Sequence, residues 1–491
     1  MSLAALEARL RRELHFVSYP TRPWMVRREH PDGPVLDVVI VGGGQSGLAA
    51  AFGLRREAVT DVIVLDRNAA GREGPWRNFA RMITLRTPKI ITGLDFGMPA
   101  LTPRAWYEAQ WGEDAWQKLD KFPREVWQDY LDWYRRVLEL PVQNGVEVID
   151  IAPHDGLLAV AANDRKFLAR KVVLATGLDG SGRWNVPGFI ASALPADRYA
   201  HTADAIDFSA LCGKRIGVLG NGASAFDNAA VALEHGAQSV DLCLRKPQFP
   251  RVNAHKWMEF AGFLGHYWTL PDLERWRFMR QINAMSQPPP QDTLWRCSRY
   301  ANFAIRPGAA WTSVALENDA IAVETAKGRF IFDFLICGTG IISDPATRPE
   351  LARIAPHIAR WNNVFTPPAG EEDAYLGTTP YLGPAFEFTE KAAGAAPYLR
   401  NIHNFTYGAT PSMGLSAASI SGMKYGLPRL IAGVVGDLFR ADAAEHFRAL
   451  EGYSELEITS LDAPPDAEPG NAVNEQASGF NIEKRTRFTS S

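Results

Sequence analysis

The sequence predicts an α/β protein built on two parallel sheets, each opened by a strand–turn–helix–strand unit. A mostly apolar run, typical of a strand buried on both faces, occurs at residues 35–41, with Asp37 as its one polar residue, and again within residues 214–220, after Lys214 and Arg215. Each run leads through a glycine-rich turn into a helical pattern, and a second apolar run follows at residues 62–65 and 239–244 respectively. Strands that alternate with helices in this way indicate parallel sheets with crossover helices.

The bulk composition fits a globular protein of two or three domains. The chain has 491 residues, of which 46% are hydrophobic and 22% charged, and its formal net charge is −3. This weakly acidic balance gives no reason to expect nucleic acid as a partner. No apolar run approaches the about 18 residues of a membrane span, and the first residues lack a cleavable signal pattern. We expect a cytoplasmic protein with no membrane partner, and a homo-oligomer remains open.

Cysteine usage speaks against two kinds of site. None of the four cysteines belongs to a Cys-x-x-Cys pair, so neither a zinc site nor a dithiol redox motif is supported. We therefore expect no metal, and such sparse usage suits a reducing compartment. The four residues are Cys212, Cys243, Cys297 and Cys337.

The first glycine-rich turn, residues 42–47, matches G-x-G-x-x-G between a strand and a helix. Gly42 permits the tight turn, Gly44 lets the backbone approach a pyrophosphate, and Gly47 lets the helix pack closely on the strand. The diphosphate is favoured at the helix N-terminus by free N–H groups and the helix dipole. Asp66 ends the next strand, where a carboxylate accepts ribose hydroxyls. We assign to this dinucleotide Gly42, Gly44, Gln45, Ser46, Gly47 and Asp66.

The second glycine-rich turn, residues 220–225, also follows a buried strand and opens a helix, with Ala225 as an allowed third position. Where the first unit has Asp66, this unit has Arg245 and Lys246. Basic side chains there attract a 2′-phosphate, which favours NADPH over NADH. A solvated surface pair is the alternative interpretation. We assign to the second nucleotide Gly220, Gly222, Ser224, Arg245 and Lys246.

Two Rossmann-like units in one chain, one acidic and one basic at the discriminating position, indicate FAD in the first and NADPH in the second. A bound flavin with a nicotinamide donor implies hydride transfer to FAD. The FAD domain is then interrupted by the NADPH domain, which carries a helical insertion. The predicted segments are a lead-in (1–35), the N-terminal segment of the FAD domain (36–185), the NADPH domain (186–330) with its insertion (247–310), the C-terminal segment of the FAD domain (331–450) and a disordered polar tail (455–491).

From about residue 36 to 440 the chain resembles the class B flavoprotein monooxygenases, which include the flavin-containing and N-hydroxylating monooxygenases. Gly74-Pro75-Trp76 is similar to the family's G-G-x-W, and Thr87-Pro88-Lys89 to its T-S-K segment near the flavin. Ala175-Thr176-Gly177 and Gly338-Thr339-Gly340 resemble its two domain linkers, and His201-Thr202 its stretch ahead of the NADPH fingerprint.

The resemblance extends the candidate sites. It implies that Trp76 and Thr176 lie near the flavin, although Trp76 could simply fill core. It implies that the C-terminal segment of the FAD domain closes on the flavin, which makes Ser412 and Gly414 candidate neighbours. His201 contacts NADPH on this interpretation, and a hydrogen-bonded linker histidine is the alternative.

The activity that the resemblance implies is oxygenation by a flavin. NADPH reduces FAD, O₂ adds to the reduced ring as a C4a-hydroperoxide, and the oxygen passes to a soft nucleophile such as an amine nitrogen or a sulfur. Only Tyr199 and His201 remain of the family's F-x-G-x-x-x-H-x-x-x-Y/W fingerprint, which weakens a Baeyer–Villiger assignment. Arg86 stands where many members have an active-site asparagine. It is our one candidate catalytic residue, facing the flavin or a substrate carboxylate, against a structural salt bridge.

We therefore expect an FAD-dependent NADPH monooxygenase that oxygenates the nitrogen of a small amine or amino acid. Baeyer–Villiger oxidation, S-oxygenation and an NADPH oxidase without oxygen insertion remain as alternatives. A disulfide reductase would need a redox-active cysteine pair, which the sequence lacks. A non-catalytic flavin sensor is the remaining class.

Overall fold

The computed structural model of the chain describes residues 1–417 and 419–461. Its strands are β1 (Glu29–His30), β2 (Gly33–Val41), β3 (Val62–Asp66), β4 (Val142–Asn144), β5 (Val148–His154), β6 (Leu157–Ala162), β7 (Arg165–Leu174), β8 (Arg183–Trp184), β9 (Tyr199–His201), β10 (Arg215–Leu219), β11 (Ser239–Leu244), β12 (Phe303–Pro307), β13 (Trp311–Glu317), β14 (Ala320–Thr325), β15 (Gly328–Phe332), β16 (Phe334–Cys337), β17 (Ile341–Ile342) and β18 (Ile402–Asn404).

Its α-helices are α1 (Leu3–Phe16), α2 (Gln45–Arg56), α3 (Pro103–Trp111), α4 (Glu113–Lys118), α5 (Arg124–Val137), α6 (Gly188–Ala193), α7 (Ala223–Glu234), α8 (Ala254–Met258), α9 (Ala261–His266), α10 (Asp272–Met285), α11 (Gln291–Ser298), α12 (Trp361–Val364), α13 (Ala374–Thr378), α14 (Thr410–Met413), α15 (Ile420–Ala441) and α16 (Ala443–Glu451). None of these helices has an apolar stretch long enough to span a bilayer.

The first sheet has the order β4-β3-β2-β7-β6-β5, and β18 pairs in parallel with β7. Its central strands β2, β3 and β7 are parallel, and α2 connects β2 to β3. Val38, Val39 and Ile40 are fully buried, because β2 is covered on both faces. The mostly apolar run in the sequence therefore corresponds to a central strand.

The second sheet is parallel throughout, in the order β12-β11-β10-β16-β9. Helix α7 connects β10 to β11 and packs Phe226 and Leu233 against the sheet. Helices α8 to α11 separate β11 from β12, as the predicted insertion requires. The predicted α/β fold with two Rossmann-like units and a helical insertion is confirmed.

The return of the chain to the first sheet differs from the sequence-based boundary at residue 331. Strand β16 pairs with β10 and β9 of the second sheet, so Phe334–Cys337 completes that sheet. The chain rejoins the first sheet only at β18. An apolar run followed by Gly-Thr-Gly ends a strand in either sheet, so this pattern alone does not distinguish the two.

The segments at the two ends of the chain are simple in structure. Helix α1 is capped by Ser2, whose hydroxyl accepts from the Ala5 N–H, and it buries Leu6, Leu10 and Leu14 on one face. Among the described residues, 441–461 belong to a second compact unit, which contains α16. Most of the predicted polar tail, from residue 462, lies outside the described residues.

Candidate active site

The first glycine-rich turn forms a cradle at the N-terminus of α2. Gly42 has φ +104°, and a Cβ there would lie 2.6 Å from the Ala175 carbonyl oxygen. A Cβ at Gly47 would lie 1.8 Å from the Gly42 carbonyl oxygen, so only glycine fits at either position. Gly44 begins α2 without a side-chain cap, and the nearest atom to a Cβ there is 3.8 Å away. The cradle thus combines uncapped N–H groups with room for a diphosphate, which fits FAD.

Asp66 braces the first cradle from the end of β3. It is 6% exposed, its Oδ2 accepts from the Gly43 N–H at 2.7 Å, and its Oδ1 accepts from the Asn68 N–H at 2.8 Å. Each carboxylate oxygen has a second lone pair, so these bonds leave capacity for a ribose hydroxyl. Asp66 therefore fixes the shape of the turn whether or not it also contacts a ribose.

The side chains of Gln45 and Ser46 face protein neighbours. The Gln45 Oε1 accepts from the Trp127 Nε1 at 3.2 Å. The Ser46 hydroxyl lies 3.6 Å from the Met423 sulfur, which joins the first turn of α2 to the first turn of α15. Contacts of these two residues with FAD would come through their backbone N–H groups.

The second cradle repeats the first at the N-terminus of α7. Gly220 has φ +140°, and a Cβ there would lie 2.3 Å from the Gly338 carbonyl oxygen. Gly222 begins α7 without a side-chain cap, and no atom lies within 4 Å of a Cβ built there. A Cβ at Gly338 would lie 2.6 Å from the Ala225 Cβ, so alanine is tolerated at the third fingerprint position because residue 338 is glycine. Ser224 is exposed on the first turn of α7.

The basic pair after β11 divides into two different environments. Arg245 is exposed. Lys246 is half-buried, and its ammonium donates to the Ala284 carbonyl at the end of α10. Arg245 is therefore the better placed of the two for a 2′-phosphate.

His201 ends β9 inside the second sheet. It is 1% exposed, its Nδ1 accepts from the Ala203 N–H at 3.1 Å, and its ring lies 5.0 Å from that of Trp184. Burial lowers the pKa of His201, which keeps the ring neutral at neutral pH. This environment matches the linker-histidine interpretation more closely than a direct contact with NADPH.

Trp76 and Thr176, which the family resemblance places near the flavin, make ordinary packing contacts with other residues. Trp76 is half-buried, and its ring lies 6.5 Å edge-on from that of Trp127. Thr176 packs closely on Gly180. A Cβ built at Gly180 would lie 1.6 Å from the Thr176 hydroxyl oxygen. Their proximity to FAD remains a prediction.

Ser412, in α14, and Gly414, directly after it, have structural roles in the segment that follows β18. The buried Ser412 hydroxyl donates to the Pro380 carbonyl at 2.9 Å and accepts from the Trp361 Nε1 at 3.0 Å and the Leu382 N–H at 3.2 Å. No hydrogen-bonding capacity of this hydroxyl is left for a cofactor. Gly414 has φ +69°, and a Cβ there would lie 3.1 Å from the Tyr267 ring.

The helical insertion holds the same segment in place. The Tyr267 hydroxyl lies 3.0 Å from the Pro411 carbonyl, and the Arg275 guanidinium donates to the Ser412 carbonyl at 3.1 Å. Burial raises the pKa of Tyr267 far above its usual value, so the phenol stays protonated. Neither residue belongs to a sequence motif, and only their aromatic and basic character in a long insertion could have pointed to them.

Arg86, the candidate catalytic residue, forms an ion pair. Its Nη2 lies 3.2 Å from Oδ2 of Asp227 on α7, whose side chain is 4% exposed. Arg296 lies 4.0 Å from the other carboxylate oxygen. The structure therefore shows the salt bridge that was the alternative, which argues against a free guanidinium awaiting a substrate carboxylate. The one sequence signal for Asp227 is an acid within the mostly apolar stretch 223–233 of α7.

The cysteines bear on the disulfide reductase alternative. All four are free thiols, and three of them are buried in strands or helices. Burial raises the pKa of Cys243 to about 11 and those of Cys297 and Cys337 to about 12, which keeps these thiols protonated and unreactive. No redox-active pair is available to pass electrons from a flavin to a disulfide substrate.

Comparison with known proteins places the chain in a family. Residues 39–259 match the family described as pyridine nucleotide-disulphide oxidoreductase. The FAD-dependent urate hydroxylase of Xanthomonas campestris pv. campestris is 46% identical over 464 residues, which cover 93% of this chain and 98% of that protein.

Solved structures of similar fold have lower identity. The ornithine N-hydroxylase KtzI of Kutzneria sp. 744, solved with reduced FAD, NADP⁺ and L-ornithine, has a TM-score of 0.62 at 18% identity, covering 82% of this chain and all of that one. The L-lysine 6-monooxygenase of Pseudomonas syringae has a TM-score of 0.62 at 18% identity, covering 83% of this chain and 99% of that one. These two similarities concern the fold alone.

The fold has two dinucleotide units, and its four cysteines are free thiols that form no reactive pair of the kind a disulfide reductase would need. The near-full-length relative at 46% identity goes further, and the chain belongs to the class B flavin monooxygenases. It is thus an FAD-dependent monooxygenase, and NADPH as its electron donor remains a prediction.

Proposed function

We propose that this enzyme uses NADPH and O₂ to hydroxylate urate or a closely related purine. The observation that carries the proposal is the 46% identity with a urate hydroxylase across 98% of that protein. The fold alone supports oxygenation by a flavin without choosing a substrate, because one fold hosts many functions.

The chain's own residues supply binding and orientation, and FAD supplies the redox and oxygen-transfer chemistry when bound. The cradle of Gly42, Gly44 and Gly47 holds the FAD diphosphate at the N-terminus of α2, with Asp66 bracing the turn. The Gly220–Ala225 cradle holds the NADPH diphosphate at the N-terminus of α7. Arg245 pairs with the 2′-phosphate.

The helical insertion supports the segment after β18, which we place beside the flavin. Tyr267 and Arg275 hold the backbone of residues 411–412, and the Arg275 guanidinium packs against the rings of both Trp361 and Tyr381, at 5.0 and 5.3 Å from their centroids. A packed wall of this kind excludes water, which an oxygen-transferring flavin requires.

Oxygenation of an amine nitrogen, the expectation from sequence, is the second candidate. It depended on the degenerate Baeyer–Villiger fingerprint and on Arg86 as partner of a substrate carboxylate. The pairing of Arg86 with Asp227 weakens the latter support. The ornithine and lysine hydroxylases share only the fold, at 18% identity. Their similarity therefore gives no support for ornithine or lysine as the substrate of this chain.

The test is a substrate panel with the purified FAD-loaded enzyme. NADPH oxidation, O₂ uptake, hydrogen peroxide and substrate loss are measured with urate, xanthine, L-ornithine and L-lysine. We expect urate to accelerate NADPH oxidation, with one urate consumed per NADPH and little peroxide. N-hydroxylation of an amine with urate inert would establish the second candidate. Peroxide equal to NADPH consumed in every arm would instead indicate an oxidase and overturn both.

A further inference from the structure

Helix α7 carries two features on one face. Ser224 lies in the second cradle, and Asp227 follows it by three residues, so the two side chains are neighbours on the helix surface. The Asp227 carboxylate is 4% exposed and lies 3.2 Å from Arg86, which comes from the FAD domain. The nucleotide-facing side of α7 is therefore joined to the FAD domain by a nearly buried ion pair.

A second connection between the same two regions runs through Arg296, which lies 4.0 Å from the Asp227 carboxylate but makes its short bonds to other groups. Arg296 on α11 forms two bonds of 2.6 Å with Glu234 at the far end of α7 and donates to the Arg81 carbonyl at 3.0 Å. The Arg81 guanidinium donates to the Thr202 carbonyl at 2.8 Å, next to β9. This connection would hold the segment from Arg81 to Arg86 against the NADPH domain even without Asp227.

Stability gives little reason for a charge at Asp227. Burial raises the pKa of this carboxyl, which means that ionisation costs more in the folded protein than in the unfolded chain, even with two arginines beside it. Buried ion pairs are weak evidence for stability, because replacing them by neutral groups is often neutral or favourable. The cost of burying this charge falls on the helix that we assign to the nucleotide. It therefore points to a role of Asp227 in nucleotide binding or positioning.

We propose that Asp227 is a positioning residue that holds the Arg86 guanidinium at the NADPH cradle, so that occupancy of the cradle and the position of the FAD-side segment are coupled. The inference rests on the assignment of the second cradle to NADPH and is independent of the substrate. Arg86 has five N–H donors and uses one on Asp227, so the others remain for the nucleotide. By linkage, a nucleotide that favours the pair is itself bound more tightly when the pair is intact.

The experiment measures NADP⁺ binding to the oxidised, FAD-loaded enzyme by calorimetry and by the change in flavin absorbance. The variants are Asp227→Asn, Arg86→Gln and the double variant, with Arg86→Lys as the conservative change. Glu234→Gln is the matched control, because it breaks the other ion pair of the same helix. Flavin reduction by NADPH under anaerobic conditions is followed in parallel.

We expect Asp227→Asn and Arg86→Gln each to weaken NADP⁺ binding about tenfold and to shrink the flavin absorbance change. The double variant should be no weaker than the worse single variant, since both remove one interaction. Arg86→Lys should recover part of the affinity. FAD content should stay unchanged throughout, and Glu234→Gln should stay within about twofold of the parent.

Three results would overturn the inference. Asp227→Asn could bind NADP⁺ as the parent does, the two single effects could simply add in the double variant, or Glu234→Gln could weaken binding equally. If Asp227→Asn fails to fold, the half-exposed Arg86 still supplies the test through Arg86→Gln and Arg86→Lys. No arm uses urate, so failure of the proposed substrate would leave the result interpretable.

Discussion

Glycines 44 and 47 of the first cradle are needed for different reasons, which substitution separates. Gly47→Ala places a methyl group 1.8 Å from the Gly42 carbonyl oxygen, so the turn cannot form and both folding and FAD binding should fail. Gly44→Ala meets no atom closer than 3.8 Å, so the protein should fold normally. Its methyl group nevertheless points into the space assigned to the diphosphate, and FAD affinity should drop. FAD content and thermal unfolding of both variants give the answer, and a Gly44→Ala enzyme that retains full FAD would refute the placement.

The basic pair after β11 should show unequal effects on cofactor choice. Arg245→Ala removes a charged contact to the 2′-phosphate worth about 1.5–3 kcal/mol, so the KM for NADPH should rise about 10- to 100-fold. The KM for NADH should hardly change. Lys246→Ala is the comparison, and its effect should be smaller because that ammonium already binds the Ala284 carbonyl. Steady-state kinetics with both nucleotides measures the ratio, and an unchanged ratio in Arg245→Ala would identify the pair as a surface feature.

At the scale of elements, the segment after β18, which contains α14, is held in place by hydrogen bonds from the helical insertion. Ser412→Ala leaves the Trp361 Nε1 and the Leu382 N–H without their partner in a buried site. We expect a loss of about 1–3 kcal/mol in the free energy of unfolding. FAD affinity of the folded variant should be nearly unchanged, because the hydroxyl faces protein. Denaturant unfolding and FAD titration separate the two effects, and a variant of normal stability that loses FAD would show a direct cofactor contact.

The elements that sequence predicts well are those whose pattern is local. Strands β2, β3, β10 and β11 follow from mostly apolar runs, and α2 and α7 follow from the glycine turns before them. The assignment of β16 to a sheet does not, because any central strand of a dinucleotide unit ends in a similar way. Sheet membership depends on pairing between distant segments, and no local pattern encodes it.

The residues of the candidate site also differ in how far the local sequence predicts them. The glycines and Asp66 were predictable, because the fingerprint encodes their conformation and contacts in a short stretch. Asp227, Tyr267 and Arg275 were not, because their partners lie more than 100 residues away in sequence, at Arg86, Pro411 and Ser412. Ser412 was expected near the flavin, but it lies in α14, and its hydrogen-bond partners could be seen only in three dimensions.

At the scale of the whole molecule, acid stability should depend on His403. This histidine lies in β18, is 1% exposed and has a pKa lowered to about 4 by burial and by the charge of Lys171. The folded protein therefore binds this proton more weakly than the unfolded chain, whose histidine pKa is about 6.5. The stabilisation is fully present above about pH 6.5 and falls by about 1.4 kcal/mol per unit as pH drops toward 4.

The His403→Gln variant isolates this contribution. Its free energy of unfolding should vary less steeply with pH between about 6.5 and 4 than that of the parent enzyme. Denaturant unfolding at a series of pH values measures the difference in slope. Parallel profiles for the two proteins would show that His403 titrates normally and would contradict its burial in the neutral form.

As a whole, the molecule is proposed to deliver reducing equivalents from NADPH, through FAD, to oxygenation of an organic substrate, with one nucleotide cradle for each cofactor. Turnover with urate under ¹⁸O₂, followed by mass spectrometry of the product, tests this electron and oxygen path most directly. We expect one ¹⁸O atom in the first product formed and one NADPH oxidised per product molecule. Product without label, or labelled hydrogen peroxide as the only destination of the oxygen, would contradict the proposed path.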